Sequence, residues 1–378
     1  MVFDVIVVGA GVWGAASVEA YEKAGRSVIW IDDNDDEHPT AASADIARII
    51  RAEYSDPAYR KLAEESLQSF KTQEPYSKYF HQTGWFLIQD EQQARHGSIP
   101  SGTEDVAVEE FRRKFSAANV DDNLFITRTE NVGWVEANNL QQALNAEIRV
   151  KKRRGTVTDL IFDGRFCRGV RLGTEDILGE AVVLATGWRT NRLLASHNLA
   201  QVDYQVVGVP VLGIQLTDEQ YMKYRDMPIL CQPGRGEILP PTAQRIMRVN
   251  NPRSFHLNSS SAAPTSLSPT HICFKENWDF LGKYFPDLVD RPAVISKICW
   301  DALTDSQSFC ILQVEGTNNV YYVGGGSFHS WKFRPVLPEL IAARLGLKGD
   351  DNSEELWVLL TQEQSKKHAD LIPTRRWE

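Results

Sequence analysis

Val5-Ile6-Val7-Val8-Gly9-Ala10-Gly11-Val12-Trp13-Gly14 stands almost at the start of the chain. Four β-branched residues of the kind a buried parallel strand needs run straight into a G-x-G-x-x-G turn. Ala15 to Ala24 then reads as a helix ended by Gly25, and Ser27 to Ile31 as a second apolar strand. That strand closes on Asp32, with Asp33 beside it, about 20 residues past the glycines, where an acid that accepts from ribose hydroxyls belongs. The stretch is a complete βαβ unit. Gly9 permits the tight turn, Gly11 lets the amides around Val12 and Trp13 approach a pyrophosphate, and Gly14 lets helix pack closely on strand. Alone, the turn could be a glycine-rich loop, but strand, helix and acid in register make it a dinucleotide site. It does not choose between nicotinamide and flavin nucleotides. The chain holds one such turn, which disfavours a reductase needing two nucleotide-binding domains.

The 378 residues, 42% of them apolar, can fill a sizeable core. No apolar run reaches the ~20 residues of a membrane span. Met1-Val-Phe-Asp lacks the basic start of a signal peptide, and no Ser-Lys-Leu ends the chain. A cytoplasmic, monomeric protein without membrane partners is expected. Five cysteines without a C-x-x-C pair indicate neither a disulfide framework nor zinc, and the eight histidines have no metal-ligand spacing. A net charge of −9 argues against nucleic acid, and the basic run Lys151 to Arg154 reads as a solvated connection.

Beyond the first unit lie a small-residue loop, Thr40-Ala41-Ala42-Ser43, and the stretch Asp45-Ile46-Ala47-Arg48-Ile49-Ile50-Arg51. A spacing of three places Arg48 and Arg51 on one side of a helical turn, suited either to holding a carboxylate or to surface ion pairing. Ser55-Asp56-Pro57 starts a helix whose apolar face is Tyr59, Leu62, Ala63, Leu67 and Phe70. Gly133-Trp134 to Glu147 bears a further helix. Thr156 to Ile161, Gly169 to Leu172 and Ala181 to Ala185 read as strands. Leu257 to Thr270 is a serine- and proline-rich loop, and Phe274 to Phe285 a helix with Trp278, Leu281 and Phe285 inward.

The opening unit, the Ser43-to-Arg51 stretch, Ala185-Thr186-Gly187-Trp188, Cys299-Trp300, and Gly324-Gly325-Gly326 running to His329-Ser330-Trp331-Lys332-Phe333 occur in the order found in FAD-dependent amine oxidases. Over nearly its whole length the chain resembles the monomeric sarcosine oxidase and fructosyl-amino-acid oxidase (amadoriase) group, with relatives that oxidise pipecolate and saccharopine, in the D-amino-acid-oxidase-like superfamily. Leu212-Gly-Ile-Gln-Leu-Thr-Asp-Glu-Gln-Tyr looks most like amadoriases; Arg48-Ile49-Ile50-Arg51 looks more like sarcosine oxidase.

The resemblance implies an α/β chain: a discontinuous Rossmann-type FAD-binding domain (1–82, 145–204 and 296–378) with an inserted β-rich α+β substrate domain (83–144 and 205–295). It implies FAD held by Gly9, Gly11, Val12, Trp13, Gly14, Asp32, Asp33, Ser43, Arg48, Val157, Thr186, Gly187, Trp188, Gly326 and Lys332. It also implies a thioether to the flavin from Cys299, near the start of a strand; on composition alone that cysteine is a small buried hydrophobe. The implied reaction oxidises the C–N bond of a small secondary amine bearing a carboxylate. Hydride passes to flavin N5, an imine forms, and O2 reoxidises the flavin to give H2O2. Arg51 and Lys332 would clamp the carboxylate, Arg48 would bias charge at the flavin, and His329 would line the amine pocket.

Three departures qualify the oxygen step. The family holds an oxygen-activating lysine where this chain has Arg248, and no lysine occurs between Lys223 and Lys275. Phe309-Cys-Ile-Leu-Gln-Val-Glu replaces the family's Phe-x-Ile-Asp-x-His-Pro, and the segment before Gly155 is shortened. A flavin dehydrogenase or a redox-neutral isomerase or cyclase is the second reading, and a non-enzymatic flavin-binding protein the third.

Overall fold

The computed structural model describes residues 1–33, 42–91, 94, 103–115, 120–251, 253–257, 263–264, 266–347 and 375–376. Thr40, Ala41, residues 258–262 and 265 of the serine-rich loop, and most of the stretch beyond 347 lie outside them. The expected fold class is borne out: the chain is mixed α/β, and a Rossmann-type unit carries the glycine turn.

Val2–Val8 lies at the centre of an eight-stranded sheet, parallel to Val28–Asp32 on one side and to the end of Glu175–Leu184 on the other. Both faces of such a strand are covered, which is why its sequence is a continuous apolar run; Val5, Ile6 and Val7 are fully buried. The parallel set continues through Val320–Gly324 at one side and Lys151–Arg154 at the other. Lys151–Arg154 is thus an edge strand, not the solvated connection expected. Its charges suit an edge: Lys151 and Lys152 lie over the rings of Phe3 and Trp30, and Arg153 pairs with Glu175.

The first helix, Val12–Lys23, ends where Gly25 takes a φ of 71°, a left-handed conformation that costs glycine little. It packs against Leu337–Arg344 over a core that includes Val18, Leu340 and Ile341. Pro57–Thr72 begins as expected, with the Asp56 carboxylate accepting from the Tyr59 amide at 2.9 Å. All five residues of its expected apolar face are buried. Leu62, Leu67 and Phe70 each contribute about 1.5–3 kcal/mol by leaving water.

A second sheet of ten strands is built on two long antiparallel partners, Gln205–Gln215 and Ala293–Leu303. Alternation splits its residues between two faces. Leu212, Ile214, Ile238, Met247, Val249, Ile298 and Trp300 join a core with the helix Lys275–Tyr284. In that helix Leu281 is buried, as is Phe285 just beyond it, while Trp278 is half-buried and donates to the Pro269 carbonyl at 2.9 Å. The opposite face presents Cys299, Asp301, Val209, Val211, Arg248, Asn250 and Glu237 to a cavity between the two sheets.

Arg48–Ile50 is a strand, antiparallel to Gly133–Val135. The helical turn expected for Arg48 to Arg51 does not form, because the β-branched pair Ile49-Ile50 suits a pleated edge better. Cys299 likewise lies mid-strand in Ala293–Leu303 rather than near its start.

Candidate active site

The cavity has a volume of about 860 Å³ and is lined from both sheets. At its nucleotide end the glycine turn closes down on its neighbours. A Cβ on Gly9, whose φ is 107°, would stand 2.4 Å from the Ala185 carbonyl oxygen. One on Gly11 would meet Ser43 Oγ at 2.9 Å. Gly14 lies outside the lining and does the packing work expected of it, since a Cβ there would be 1.8 Å from the Gly9 carbonyl oxygen. Trp30 Nε1 donates to that same oxygen at 2.8 Å and holds the turn in place. The Val12 amide donates to Ser43 Oγ at 2.9 Å, and Trp331 Nε1 donates to the Ser43 carbonyl at 3.0 Å. Ser43 is in this way fixed over the first helical turn.

Asp32, at the end of its strand, accepts from the Ala10 amide at 3.1 Å and faces the cavity; Asp33 beside it accepts from Arg189 at 3.1 Å. Val157, Thr186, Gly187 and Trp188 complete this wall. Gly326 does not line it. It packs behind, where a Cβ would meet Asp301 Oδ1 at 3.0 Å. The next two residues, Ser327 and Phe328, take left-handed φ values of 45° and 64° and do line the cavity. Such strain persists only where surrounding bonds over-determine it. Here the Ser327 amide donates to the Ala302 carbonyl at 3.1 Å and the Phe328 amide to Asp301 Oδ2 at 2.8 Å.

In the middle of the cavity Cys299 is 7% exposed and lies close enough to the Arg48 guanidinium for their charges to interact. Arg48 also reaches the Ala42 carbonyl and lies 3.3 Å from Asp45, yet its buried Nε has no hydrogen-bond partner among the described residues. Burial pushes the Asp301 carboxyl above its ordinary pKa. Arg248 donates from Nε to Asp45 at 2.8 Å and from a terminal nitrogen to Asn250 Oδ1 at 2.7 Å. Burial alone would raise the Asp45 pKa, but Arg248, Arg48 and Lys297 overcome it and bring the carboxyl to about 2. Lys297 Nζ donates to the neighbouring Ala44 carbonyl.

At the far end Arg51 and Lys332 converge on one ring: their charged groups lie 5.4 and 5.3 Å from the centroid of Tyr54. Burial, then the nearby Arg51, hold the Lys332 amine well below its ordinary pKa. His329 forms the adjoining wall. Its Nε2 donates to the Gln307 carbonyl at 2.7 Å, so Nδ1 accepts from Tyr54 Oη at 3.0 Å, and its ring stacks on Phe309. Both nitrogens are therefore engaged within the protein. Asp45, Trp85, Glu237, Asn250 and Asp301 belong to this site and were not foreseen. Only alternation along the later strands, given their register, could have pointed to Glu237, Asn250 and Asp301.

A glycine cradle at a helix start, a strand-end acid and a cavity continuing to a cationic pocket fit a flavin dinucleotide. The sequence profile of the FAD dependent oxidoreductase family matches residues 4–344, and the chain belongs to that enzyme family. Among individual proteins, L-saccharopine oxidase of Schizosaccharomyces pombe is 25% identical over 396 aligned positions, covering 90% of this chain and 89% of that one. Amadoriase I of Aspergillus fumigatus superposes with a TM-score of 0.79 at 21% identity, over 100% of this chain and 90% of its own. Amadoriase II of the same organism gives 0.80 at 19%, over 95% and 89%. The expected family group is the one these relatives represent. Among the described residues no helix is long and apolar enough to cross a membrane, and no cluster of His, Cys, Asp and Glu could hold a metal.

Proposed function

We propose that this chain oxidises the C–N bond of a secondary amine carrying a carboxylate, an N-substituted amino acid, with FAD as its cofactor. The observation that carries the reading is the convergence of Arg51 and Lys332 on Tyr54, in the same cavity as Cys299 and the glycine turn. Similarity to a saccharopine oxidase supports the same substrate class. The first sheet and its helices act as the nucleotide-binding unit, in the segments 1–82, 145–204 and 296–378, and the segments 83–144 and 205–295 carry most of the second sheet, which roofs the substrate; its strand Ala293–Leu303 crosses the boundary between the two.

FAD, which the glycine turn, Asp32, Ser43 and Cys299 would hold, would supply a hydride acceptor, and with O2 as the final electron acceptor the products would be an imine and H2O2. The chain's own residues do the rest. The fork of Arg51 and the ammonium of Lys332 grip the carboxylate. An arriving carboxylate favours the protonated form of Lys332. That grip leaves the amine carbon facing the centre of the cavity in a fixed pose, the larger part of what orientation contributes to such a reaction. His329 and Tyr54, bonded to one another, hold the wall rigid. Arg48 sets positive charge beside Cys299.

One observation favours a second reading, transfer of electrons with poor use of oxygen: Arg248 is tied to Asp45 and Asn250 rather than free in the cavity. Peroxide release on adding N-methyl amino acids in air tests the oxidase reading; its absence, with flavin bound and reduced by the substrate, supports the second.

A further inference from the structure

Asp301 stands two residues after Cys299 on the strand Ala293–Leu303, so both side chains fall on the sheet face that borders the cavity, about 7 Å apart along the strand. The loop that begins at Gly326 is shaped around its carboxylate. A Cβ on Gly326 would stand 3.0 Å from Oδ1, and the left-handed Ser327 and Phe328 turn the Phe328 amide onto Oδ2 at 2.8 Å. Backbone strain of this kind collects at functional sites. Oδ1 accepts from the Ala302 amide at 2.9 Å. Each oxygen thus takes one amide and keeps a lone pair. Among the described residues Asp301 belongs to no ion pair, and the cation that bears on its charge, Arg48, acts more weakly than burial does. Asp45 is the contrast, since three cations hold its carboxyl near 2. Two carboxyls of one site shifted in opposite directions separate a fixed anion from a group able to take up a proton.

We propose that Asp301 takes the proton from the incoming substrate ammonium. This rests on the amine-oxidising reading above. Hydride leaves the carbon of a neutral amine because the nitrogen lone pair then forms the C=N bond, and an ammonium has no lone pair to give. At Asp301 one N–H bond breaks, its electrons stay on nitrogen, and one O–H bond forms on the carboxylate. The C–H bond then breaks and its electron pair departs as hydride, for which FAD is the acceptor proposed above. The proton held on Asp301 is the one that completes H2O2 when O2 takes up that hydride. Asp32 and Asp33 lie at the nucleotide end and Glu237 in the field of Lys332, which leaves Asp301 as the carboxylate at the middle of the cavity. It is half-buried and open to the cavity, as a group that substrate must reach has to be. The charged or titratable groups around it are Arg48, Tyr322 on Val320–Gly324, His329 beyond the loop and Cys299 on its own strand; the partner strand brings Val207 opposite.

Anaerobic stopped-flow reduction by N-methyl amino acids between roughly pH 6 and pH 10 tests this. Asp301→Asn slows reduction by about 100-fold or more at the acid end, where the amine arrives protonated. The gap to the native protein narrows as pH rises and the amine arrives neutral, and Asp301→Glu recovers part of the loss. A D301N rate within about 3-fold of native at the acid end, or a loss equal at every pH as a loop-shaping role would give, overturns the proposal. Infrared difference spectra of substrate-reduced minus oxidised protein give a second readout. A carboxylic acid C=O band appears in the native protein, moves in D301E and is missing in D301N. No such band in the native protein also overturns the proposal, whether or not D301N retains flavin. A native protein that no N-methyl amino acid reduces at any pH contradicts the amine-oxidising reading itself, a separate failure.

Discussion

Arg248 and Asp45 form a buried ion pair, Nε to Oδ2 at 2.8 Å, with 3% and 0% of their side chains exposed. An arginine so bound is a fixed charge, whereas a lysine at the same place would be a compact ammonium on a flexible stem. Arg248→Lys should therefore speed reaction of the reduced flavin with oxygen at least several-fold while leaving reduction by substrate within about 3-fold. Stopped-flow mixing of anaerobically reduced protein with oxygenated buffer measures the first rate. An unchanged or slower oxidation would show that the arginine is not what limits oxygen.

The same pair gives stability a pH dependence. Asp45 titrates near 2 in the folded chain and near 3.8 unfolded, so its contribution is complete above pH 4 and is lost as pH falls through the folded value. The difference corresponds to roughly 2 kcal/mol. Asp45→Asn should lower the unfolding midpoint strongly at pH 6, because Arg248 and Arg48 then lie buried without their counter-charge. The gap between variant and native protein should narrow as pH approaches 2, which thermal melts across that range will show.

Cys299 and Arg48 are electrostatic neighbours inside the cavity. After acid precipitation the native protein should keep its yellow colour in the pellet, and Cys299→Ser should release all of it to the supernatant. Arg48→Ala should slow covalent incorporation into apoprotein by about 10-fold or more, since the Cys299 sulfur loses its cationic neighbour.

Arg51→Ala and Lys332→Ala should each raise KM for carboxylate-bearing amines by about 10- to 100-fold, the cost of one charge-assisted contact. Neither should alter KM by more than about 3-fold for the matching amine without a carboxylate. Initial-rate kinetics with the paired substrates decide between this and a purely structural role.

The dinucleotide unit was legible because everything it needs is local: Val5 to Asp32 encode strand, turn, helix and acid in succession. Cys299 and Lys332 were legible only through the ordered likeness to a family. Arg48 and Arg51 were placed on a helix because spacing alone cannot separate three residues of helix from a strand end; pairing with Gly133–Val135, far along the chain, decides it. Asp45 could not be found at all, since the arginine that makes it matter is 203 residues away. Glu237 and Asn250 face the cavity through sheet register, which the chain does not announce locally.

The central claim is that a carboxylate-bearing secondary amine gives up hydride within this cavity. Anaerobic titration of the purified yellow protein with such amines, followed by visible absorbance, tests it most directly. Loss of the visible band of the oxidised flavin, stoichiometric with amine and slowed in Arg51→Ala, is the expected result. A flavin band that no carboxylate-bearing amine bleaches would contradict the account.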